Sequence, residues 1–488
     1  MSDNYINSEK SNIIDKIVKF SIPSIASFVV NILSAIIVTR HLSPSDYGLI
    51  NTFIATTSFM MSIASLGLDS GFIRYYFDLP KSFDRNELFI TSLIIPSIIL
   101  LSVALVLTIF FYQKISVLIF GFESKYLILI LFINVFASIV IRFTTILVRM
   151  EGNTFLYSVL IIGTQLALKG ALIFAAIINP RLLFALNSIV FSMLFVVILF
   201  VIKYSYKFKI SNFSVLEKIS NLFGYFKYSF YSWPVPSLLY FNALVTLLII
   251  RVNIGNVSVG VFSSVSIFVG LIGVLQTGFS TFWSGYMFEN YNEKQNQIKR
   301  INSIVLYLSV LLLINFVLFK DLIYYLIGEN FHETKSYFAI ILISPILLIL
   351  TETTSYGISI AKKSGILLII TISTILINLI LTWILIPKFG ILGAAIASSL
   401  SSLTFFISQT HIGQYYYSSV FSTSKVYFTV FVIFIIAFAN FYFDMSFGIL
   451  VMICGGVFGI ISFLYAETVG LIYTFICNKF RGICGAQN

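Results

Sequence analysis

The feature that most constrains this chain is a series of about fourteen apolar runs, each close to the roughly 20 residues that a helix needs to cross a bilayer. They occupy residues 17–39, 47–68, 88–111, 126–148, 154–178, 182–202, 228–250, 258–281, 301–319, 337–361, 365–386, 390–411, 426–443 and 447–466. Hydrophobic residues make up 59% of the 488 residues, charged residues make up 10%, and the mean hydropathy is +1.00. No class of soluble globular protein has such a composition. The sequence therefore predicts an all-α polytopic membrane protein.

The connections between the apolar runs are short. The longest hydrophilic one spans residues 203–227, where five lysines alternate with aromatic residues, as in a linker that lies against anionic headgroups. Membrane-bound glycosyltransferases, polymerases and ligases need sizeable loops that carry catalytic groups, so we expect this chain not to be an enzyme. The first run is too long for the apolar part of a signal peptide, and we expect it to be retained.

The distribution of basic residues predicts the orientation in the membrane. Lys and Arg number 30 against 19 Asp and Glu. With the N-terminus in the cytoplasm, the cytoplasmic segments hold twenty of them, the outer segments hold eight, and two lie within apolar runs. Positive charge concentrates on the cytoplasmic side of membrane proteins. We therefore expect a multi-pass protein of the cytoplasmic (inner) membrane with both termini inside, and we do not interpret the net charge of +11 as nucleic-acid binding.

The cysteines and histidines exclude two further kinds of site. The three cysteines lie near the C-terminus without the spacing of metal ligands, and the three histidines are isolated from one another. We expect no disulfide framework, no metal centre and no bound cofactor.

Two cations lie inside apolar runs. Arg142 belongs to the fourth run and Lys169 to the fifth, on either side of a turn at residues 149–153. A cation in the bilayer costs about 3 kcal/mol or more unless it faces a cavity or a partner, so each is a candidate functional residue. Arg74, at the cytoplasmic end of the second run, fits an interfacial anchor and a substrate contact equally well.

Polar residues share a helix face with each cation. Asn134 and Ser138 precede Arg142 at intervals of four, and Gln165 precedes Lys169 at the same interval. Two such stripes favour helices that line a hydrated space attractive to anions. We expect Asn31 and Asn242, in the first and seventh runs, to add to that polar lining.

Two acids complete the candidate site. Glu352 lies at mid-bilayer depth in the tenth run, and Asp69 ends a polar stripe on the second. Glu352 fits a structural pair with Arg142 or Lys169, and it also fits a role in binding substrate or a coupling ion. Asp69 is likewise a candidate for ion coupling or charge pairing.

The second half of the chain repeats spacings of the first. Two triplets have separations of eight and nine residues: Pro23, Asn31, Arg40 and Pro234, Asn242, Arg251. Three further positions correspond: Gly48 with Gly260, Gly121 with Gly328, and the pair Glu151-Gly152 with Ser364-Gly365. Internal duplication in a polytopic chain is typical of two related bundles with a ligand site between them. Arg40 and Arg251 are therefore further candidates for headgroup binding.

These repeats predict the domain organisation. We expect an N-terminal lobe of six spans and the basic linker at 1–227, a C-terminal lobe of six spans at 228–415, and two peripheral helices with a cytoplasmic tail at 416–488.

Four segments carry a resemblance to a known family. They are Thr39 to Gly48 and on to Arg74, Trp283 to Tyr291, Leu326 to Glu329, and Pro387 to Ala397, in an order that covers about residues 15–415. In these places the chain resembles the polysaccharide-transport branch of the multidrug/oligosaccharidyl-lipid/polysaccharide (MOP) exporter superfamily. It is most similar to the O-antigen (Wzx-type) flippases.

The resemblance implies two pseudo-symmetric six-helix lobes around a central cavity that opens alternately to either side. It implies a flippase for undecaprenyl-pyrophosphate-linked oligosaccharide in the biosynthesis of O-antigen, lipopolysaccharide or a similar surface polysaccharide. Its partners would be that lipid-linked oligosaccharide, membrane lipids, and the polymerase and chain-length machinery of the same pathway. Coupling to protons, sodium or the membrane potential would drive it. A lipid II flippase for peptidoglycan and an ion-coupled multidrug exporter are the alternatives, although a site for cationic drugs would favour buried acids over cations.

Overall fold

The described part of the chain is helical. In the computed structural model, which describes residues 26–27, 29–77, 85–204, 223–442, 447–470 and 473–474, that part contains no β-strand. The helices are α1 (Val29–His41), α2 (Pro44–Ser65), α3 (Leu68–Tyr75), α4 (Arg85–Phe110), α5 (Tyr112–Phe120), α6 (Lys125–Met150), α7 (Thr154–Gln165), α8 (Ala171–Ile178), α9 (Leu182–Tyr204), α10 (Phe223–Ser232), α11 (Pro234–Ile254), α12 (Asn256–Ser264), α13 (Ser266–Asn290), α14 (Gln295–Leu318), α15 (Lys320–Leu326), α16 (Phe338–Thr354), α17 (Tyr356–Ile360), α18 (Ser364–Phe389), α19 (Ile391–Tyr416), α20 (Thr423–Tyr442) and α21 (Phe447–Leu464).

The helices confirm a polytopic membrane protein. Within the described residues, ten helices are long and apolar enough to cross a membrane, or twelve if each of two bent helix pairs counts as one span. Two shorter apolar helices, Val29–His41 and Gly448–Leu464, stand beside these. Together they agree with the expected number of about fourteen spans.

The contacts between residues divide the chain into two compact units. The first comprises residues 1–267 with 327–331, and the second comprises 268–326 with 332–488. Helices α11 and α12 pack on α2, so contacts group them with the first unit. The expected lobes 1–227, 228–415 and 416–488 follow the repeat rather than the packing, and they stay a prediction. Pro23 and residues 205–222 of the linker lie outside the described part.

In the first unit α2 is the central helix, packed against α12, α11 and α6. Its start is fixed locally: the Ser43 hydroxyl accepts the backbone N–H of Asp46 at 3.1 Å, and Pro44 occupies the first turn. Its end is equally definite, because Leu66 and Gly67 both adopt left-handed backbone conformations, with φ of 47° and 72°. Two consecutive left-handed residues end a helix. Helix α3 therefore begins in a new direction after Gly67.

Helices α2 and α12 approach each other closely through two glycines. A Cβ at Gly48 would lie 2.4 Å from the carbonyl oxygen of Asn256, and a Cβ at Gly260 would lie 1.8 Å from that of Pro44. Each glycine thus faces the residue four positions before the other glycine. Such reciprocity is what a two-fold axis between repeated segments produces.

A second pair of contacts in this unit has the same reciprocity. A Cβ at Gly121 would lie 3.0 Å from Nη1 of Arg251, and a Cβ at Gly328 would lie 3.3 Å from Cα of Arg40. The Gly328 N–H also donates to the Thr39 hydroxyl at 3.3 Å. The spacing of the sequence pairs Gly121 with Gly328 and Arg251 with Arg40, so both pairs of contacts support the internal repeat.

Two turns show why proline and glycine stand where they do. Helix α10 ends at Ser232 and α11 begins at Pro234, as the two prolines of the segment Trp233 to Pro236 predict. In the second unit, α18 and α19 form a hairpin around Gly390, whose φ is 61°. A Cβ at Gly393 would lie 2.4 Å from the carbonyl oxygen of Leu385, so the segment Pro387 to Ala397 needs its glycines for this close turn.

The second unit is organised around α16, which packs against α14, α19 and α20. Nearly all of its apolar side chains are fully buried, from Phe338 to Leu350. Glu352 follows within the last turn of this helix and is therefore held by a rigid element.

Candidate functional site

The polar stripe on α6 passes from the interior of the first unit to an open surface. Asn134 is 1% exposed and donates to the Thr57 hydroxyl of α2 at 3.1 Å. Ser138, one turn on, is half-buried, and Arg142 is exposed. The three residues share one face of the helix, as predicted, and that face opens towards Arg142.

Arg142 forms an ion pair with Asp69 of α3. Its Nη2 donates to Oδ2 of Asp69 at 2.8 Å, while Oδ1 of the same carboxylate accepts the N–H of Ser70 at 2.8 Å. Asp69 stands two residues after Gly67, so the break between α2 and α3 aims this carboxylate at α6. The Arg142 side chain is 48% exposed and that of Asp69 is 20% exposed. The cation is thus paired yet accessible.

A small cavity surrounds this ion pair within the first unit. It has a volume of about 50 Å³ and is lined by the pair itself, by hydroxyls of α2 and by aromatic residues around the break at Trp233. The Trp233 indole N–H donates to the carbonyl of Ser62 at 3.0 Å, which fixes the ring. Tyr240 of α11 is 38% exposed and also faces the cavity. Charge, hydroxyls and aromatic rings therefore meet at one place.

Lys169 lies in a π-helical turn, Leu166–Gly170, between α7 and α8. Such turns occur mostly as single bulges and often at functional sites. Hydroxyls from two neighbouring helices bind carbonyls of this turn: Ser192 donates to Ala167 at 2.6 Å and Ser34 to Lys169 at 3.5 Å. Among the residues that the structure describes, no carboxylate pairs with the Lys169 ammonium. A cation without a carboxylate partner among the described residues is costly in a membrane-spanning helix.

The two cations lie at different depths. Arg142 is eight residues from the end of α6 at Met150, and Lys169 is fifteen residues from the start of α7 at Thr154. At about 1.5 Å per residue, the cations lie roughly 12 and 22 Å from the turn that joins the helices. The two cations therefore lie at different distances from this turn along their helices.

Glu352, in the second unit, has polar partners of its own. Its carboxylate accepts from Nε2 of Gln276 at 3.4 Å and from the hydroxyl of Ser280 at 3.1 Å, both on α13. The ion-pair partner of Arg142 is thus Asp69, and the partners found for Glu352 are an amide and a hydroxyl. Carboxylate, amide and hydroxyl oxygens are the ligands that a small hard cation prefers.

The other predicted arginines lie at helix ends. Arg251 donates from Nη2 to the carbonyl of Leu118, in the last turn of α5, where a cation complements the helix dipole. Arg40 is exposed at the end of α1 beside Gly328, and Arg74 is exposed in the last turn of α3. None of these geometries tests headgroup binding, and that role stays a prediction for all three.

The residues predicted to form the polar lining differ in their surroundings, and their lining role stays a prediction. Asn31 donates to the carbonyl of Ser27 at 2.9 Å, whereas the buried Oδ1 atoms of Asn242 and Asn134 find no hydrogen-bond partner among the residues that the structure describes. Gln165 is half-buried, immediately before the π-turn. Within the described residues no group of histidine, cysteine or acidic side chains could hold a metal ion.

The structure adds residues that sequence reasoning missed. Trp233, Tyr240 and Ser62 line the cavity beside Arg142. The double proline after Trp233 was a usable signal for a helix break there, but nothing in the sequence relates that break to α6. The Arg142–Asp69 pair was equally hidden, because the two residues are 73 positions apart.

No protein-family model matches the chain, and no curated protein sequence matches it. Solved structures do. The chain is similar to "Lipid II flippase MurJ, inward closed conformation", with a TM-score of 0.70 and 15% identity over 93% of this chain and 100% of that one.

Multidrug transporters of the MATE family are similar as well. An inward-facing structure gives a TM-score of 0.59 at 16% identity, covering 84% of this chain and 98% of that one. A MOP superfamily transporter from Pyrococcus furiosus, whose binding pocket is described as having reverse polarity, gives 0.52 at 16% identity over 82% and 95%. At such identities these likenesses show the fold alone: the chain shares the fold of these solved transporters.

Proposed function

We propose that this chain is a flippase that moves an undecaprenyl-pyrophosphate-linked oligosaccharide across the cytoplasmic membrane by alternating access. The oligosaccharide is the repeat unit of O-antigen or of a similar surface polysaccharide. The observation that carries the proposal is Lys169, a cation in the membrane-spanning part with no carboxylate partner among the described residues. An unpaired cation in a membrane-spanning helix costs free energy unless an anion binds to it.

The chemistry of the substrate fits the placement of the cations. A pyrophosphate carries several negative charges and accepts charge-assisted hydrogen bonds from both guanidinium and ammonium groups. Arg142 and Lys169 stand at two depths, so the pyrophosphate can pass from one to the other while it crosses the membrane. The apolar tail remains among the lipids, and the sugars pass through hydrated space.

Glu352 is our candidate for energy coupling. Its carboxylate, held by Gln276 and Ser280, can alternate between a bound proton or sodium ion and an empty state. The membrane potential is a third source of energy, because the substrate itself is charged. Both termini lie in the cytoplasm in this proposal.

A lipid II flippase is the second candidate. It is favoured by the likeness to the MurJ structure, with a TM-score of 0.70 and coverage of 93% of this chain. Lipid II also carries a pyrophosphate, so the cation chemistry is the same for both substrates. The two candidates differ in the sugars and in the cellular process that depends on them.

Deletion and complementation distinguish the candidates. A surface-glycan flippase, when deleted, leaves the cells viable, removes surface glycan, and causes its lipid-linked precursor to accumulate in the inner leaflet. A lipid II flippase instead rescues cells depleted of their own lipid II flippase. Normal surface glycan and no rescue would contradict both candidates.

Transport with purified protein tests the coupling. In vesicles that contain fluorescent lipid-linked oligosaccharide, we expect a proton or sodium gradient to accelerate translocation. Glu352→Gln should translocate at the rate found without a gradient and should not respond to either ion. An equal response of Glu352→Gln and the unchanged protein would remove Glu352 from the coupling.

A further inference from the structure

The ion pair of Arg142 with Asp69 leaves most of the guanidinium free for a ligand. Only Nη2 of Arg142 has a protein acceptor among the described residues, and the side chain is 48% exposed. A guanidinium has five N–H donors in a planar fork that suits the oxygens of phosphate. An accessible ion pair of this kind stabilises a protein only slightly, so a stronger anion can replace the carboxylate.

Asp69 is fixed in place by its own surroundings. Its Oδ1 accepts the N–H of Ser70 at 2.8 Å in the first turn of α3, and that turn follows the left-handed residues Leu66 and Gly67. A carboxylate at the start of a helix is stabilised by the helix dipole. Asp69 is therefore held in its position beside Arg142 by the backbone of α3 rather than by the ion pair alone.

A site made only of cations has a selectivity problem in a membrane. Anionic phospholipids vastly outnumber any lipid-linked sugar, and each carries a phosphate with one negative charge. If such a lipid replaced Asp69 on Arg142, one single charge would be exchanged for another. A pyrophosphate brings more charge and more oxygens, so it gains bonds that a phosphodiester does not. Repulsion of the weaker anion is a common basis of specificity.

We infer that the carboxylate of Asp69 competes with lipid headgroups for Arg142. This competition admits pyrophosphate lipids to the cavity and excludes lipids with a single phosphate. The inference rests on the proposed function and names the residue that sets its selectivity. A cavity of about 50 Å³ lies beside this pair, and Tyr240 and Trp233 line it next to the carboxylate that would be displaced.

Lipid binding to the full-length purified protein tests the inference. The probes are undecaprenyl pyrophosphate, undecaprenyl phosphate and phosphatidylglycerol, measured by competition in detergent micelles. The unchanged protein should prefer the pyrophosphate. Asp69→Asn should reduce that preference by roughly tenfold, mainly because the two monophosphate lipids bind more tightly. Asp69→Glu keeps the charge and should keep the preference.

Two controls isolate the effect. Asp321→Asn removes the acid of another exposed ion pair, which Lys335 forms at 2.9 Å, and should leave the preference unchanged. In Arg142→Ala protein, adding Asp69→Asn should change little, because the competitor acts only through Arg142. Thermal melting of each variant shows whether it is folded.

The outcomes separate the inference from the function. If the unchanged protein binds pyrophosphate and monophosphate lipids equally, the proposed substrate is wrong. If it prefers the pyrophosphate and Asp69→Asn keeps that preference, the function stands and the competitor role falls. Weaker binding of all three lipids by a folded Asp69→Asn variant would also overturn the inference, since Asp69 would then only position Arg142.

Discussion

Two intramembrane cations that share one chemistry differ in their surroundings. Arg142 has Asp69 at 2.8 Å, whereas Lys169 has no carboxylate partner among the described residues. Neutralising Arg142 leaves the carboxylate of Asp69 without its cation, whereas neutralising Lys169 removes a cation that has no carboxylate partner among the described residues. The two positions should therefore respond differently to neutral substitutions.

Lys169→Ala should abolish transport while leaving the amount of membrane protein unchanged or slightly raised. Lys169→Arg should retain much of the transport, because it keeps the charge, whereas Lys169→Glu should block it. Surface glycan and membrane protein level are measured together for each variant. Lys114→Ala, which removes an exposed lysine of α5, is the matched control and should export normally.

Normal export by a stably inserted double variant, Lys169→Ala with Arg142→Ala, would end the proposal that these cations bind the headgroup. A loss of protein from the membrane in Lys169→Ala alone would point instead to a structural role for the lysine.

The sequence predicted which single residues are candidates for the site, but it did not predict which residues they contact. The depth of Arg142 and Lys169 and the helical faces of Asn134 and Gln165 follow from spacing alone. The pairing of Arg142 with Asp69 does not, because it depends on the change of chain direction at Leu66 and Gly67. A leucine in a left-handed conformation gives no local signal, since that conformation is imposed by packing.

Among elements, the contact of α2 with α12 is the most demanding. Neither Gly48 nor Gly260 can carry a side chain without moving the backbone of the other helix. Spacing in the sequence predicted that the two glycines correspond. It did not predict that the two glycines are in contact, because equivalent positions in two repeats can lie near the axis that relates the repeats or far from it.

Gly260→Val should therefore destabilise the protein by about 1–3 kcal/mol, the usual range for overpacking a tight contact. The expected result is a lower melting temperature of the purified protein together with lower transport. Gly278→Val is the matched control, because nothing lies within 4 Å of a Cβ at that position of α13. Equal melting temperatures for the two valine variants would contradict the importance of the contact.

At the scale of the whole molecule, the sequence predicted the class of fold well. Apolar runs of membrane length determine helices without any knowledge of packing, because a lipid-exposed backbone must satisfy its own hydrogen bonds. The unequal distribution of Lys and Arg between the two sides predicts the orientation of the chain in the membrane. The grouping of α11 and α12 with the first unit could not be foreseen, because it reflects helix packing rather than chain order.

The orientation is open to a direct test. We expect a cytoplasmic reporter to be active when fused to the C-terminus, and a periplasmic reporter to be active when inserted near residue 325. The predicted topology puts twenty basic residues on the inner side and eight on the outer side. Activity of a periplasm-only reporter at the C-terminus would rule out this topology.

The reciprocal contact of Gly48 and Gly260 also bears on the history of the chain. When two copies of a segment lie against each other, each copy forms part of the surface on which the other is selected. A bulky substitution in one copy is harmful even if its own segment tolerates it, because the opposite backbone occupies the space. The sequences of the two halves can therefore diverge freely over most of their length. At this contact, the two glycine positions must change together or both stay glycine.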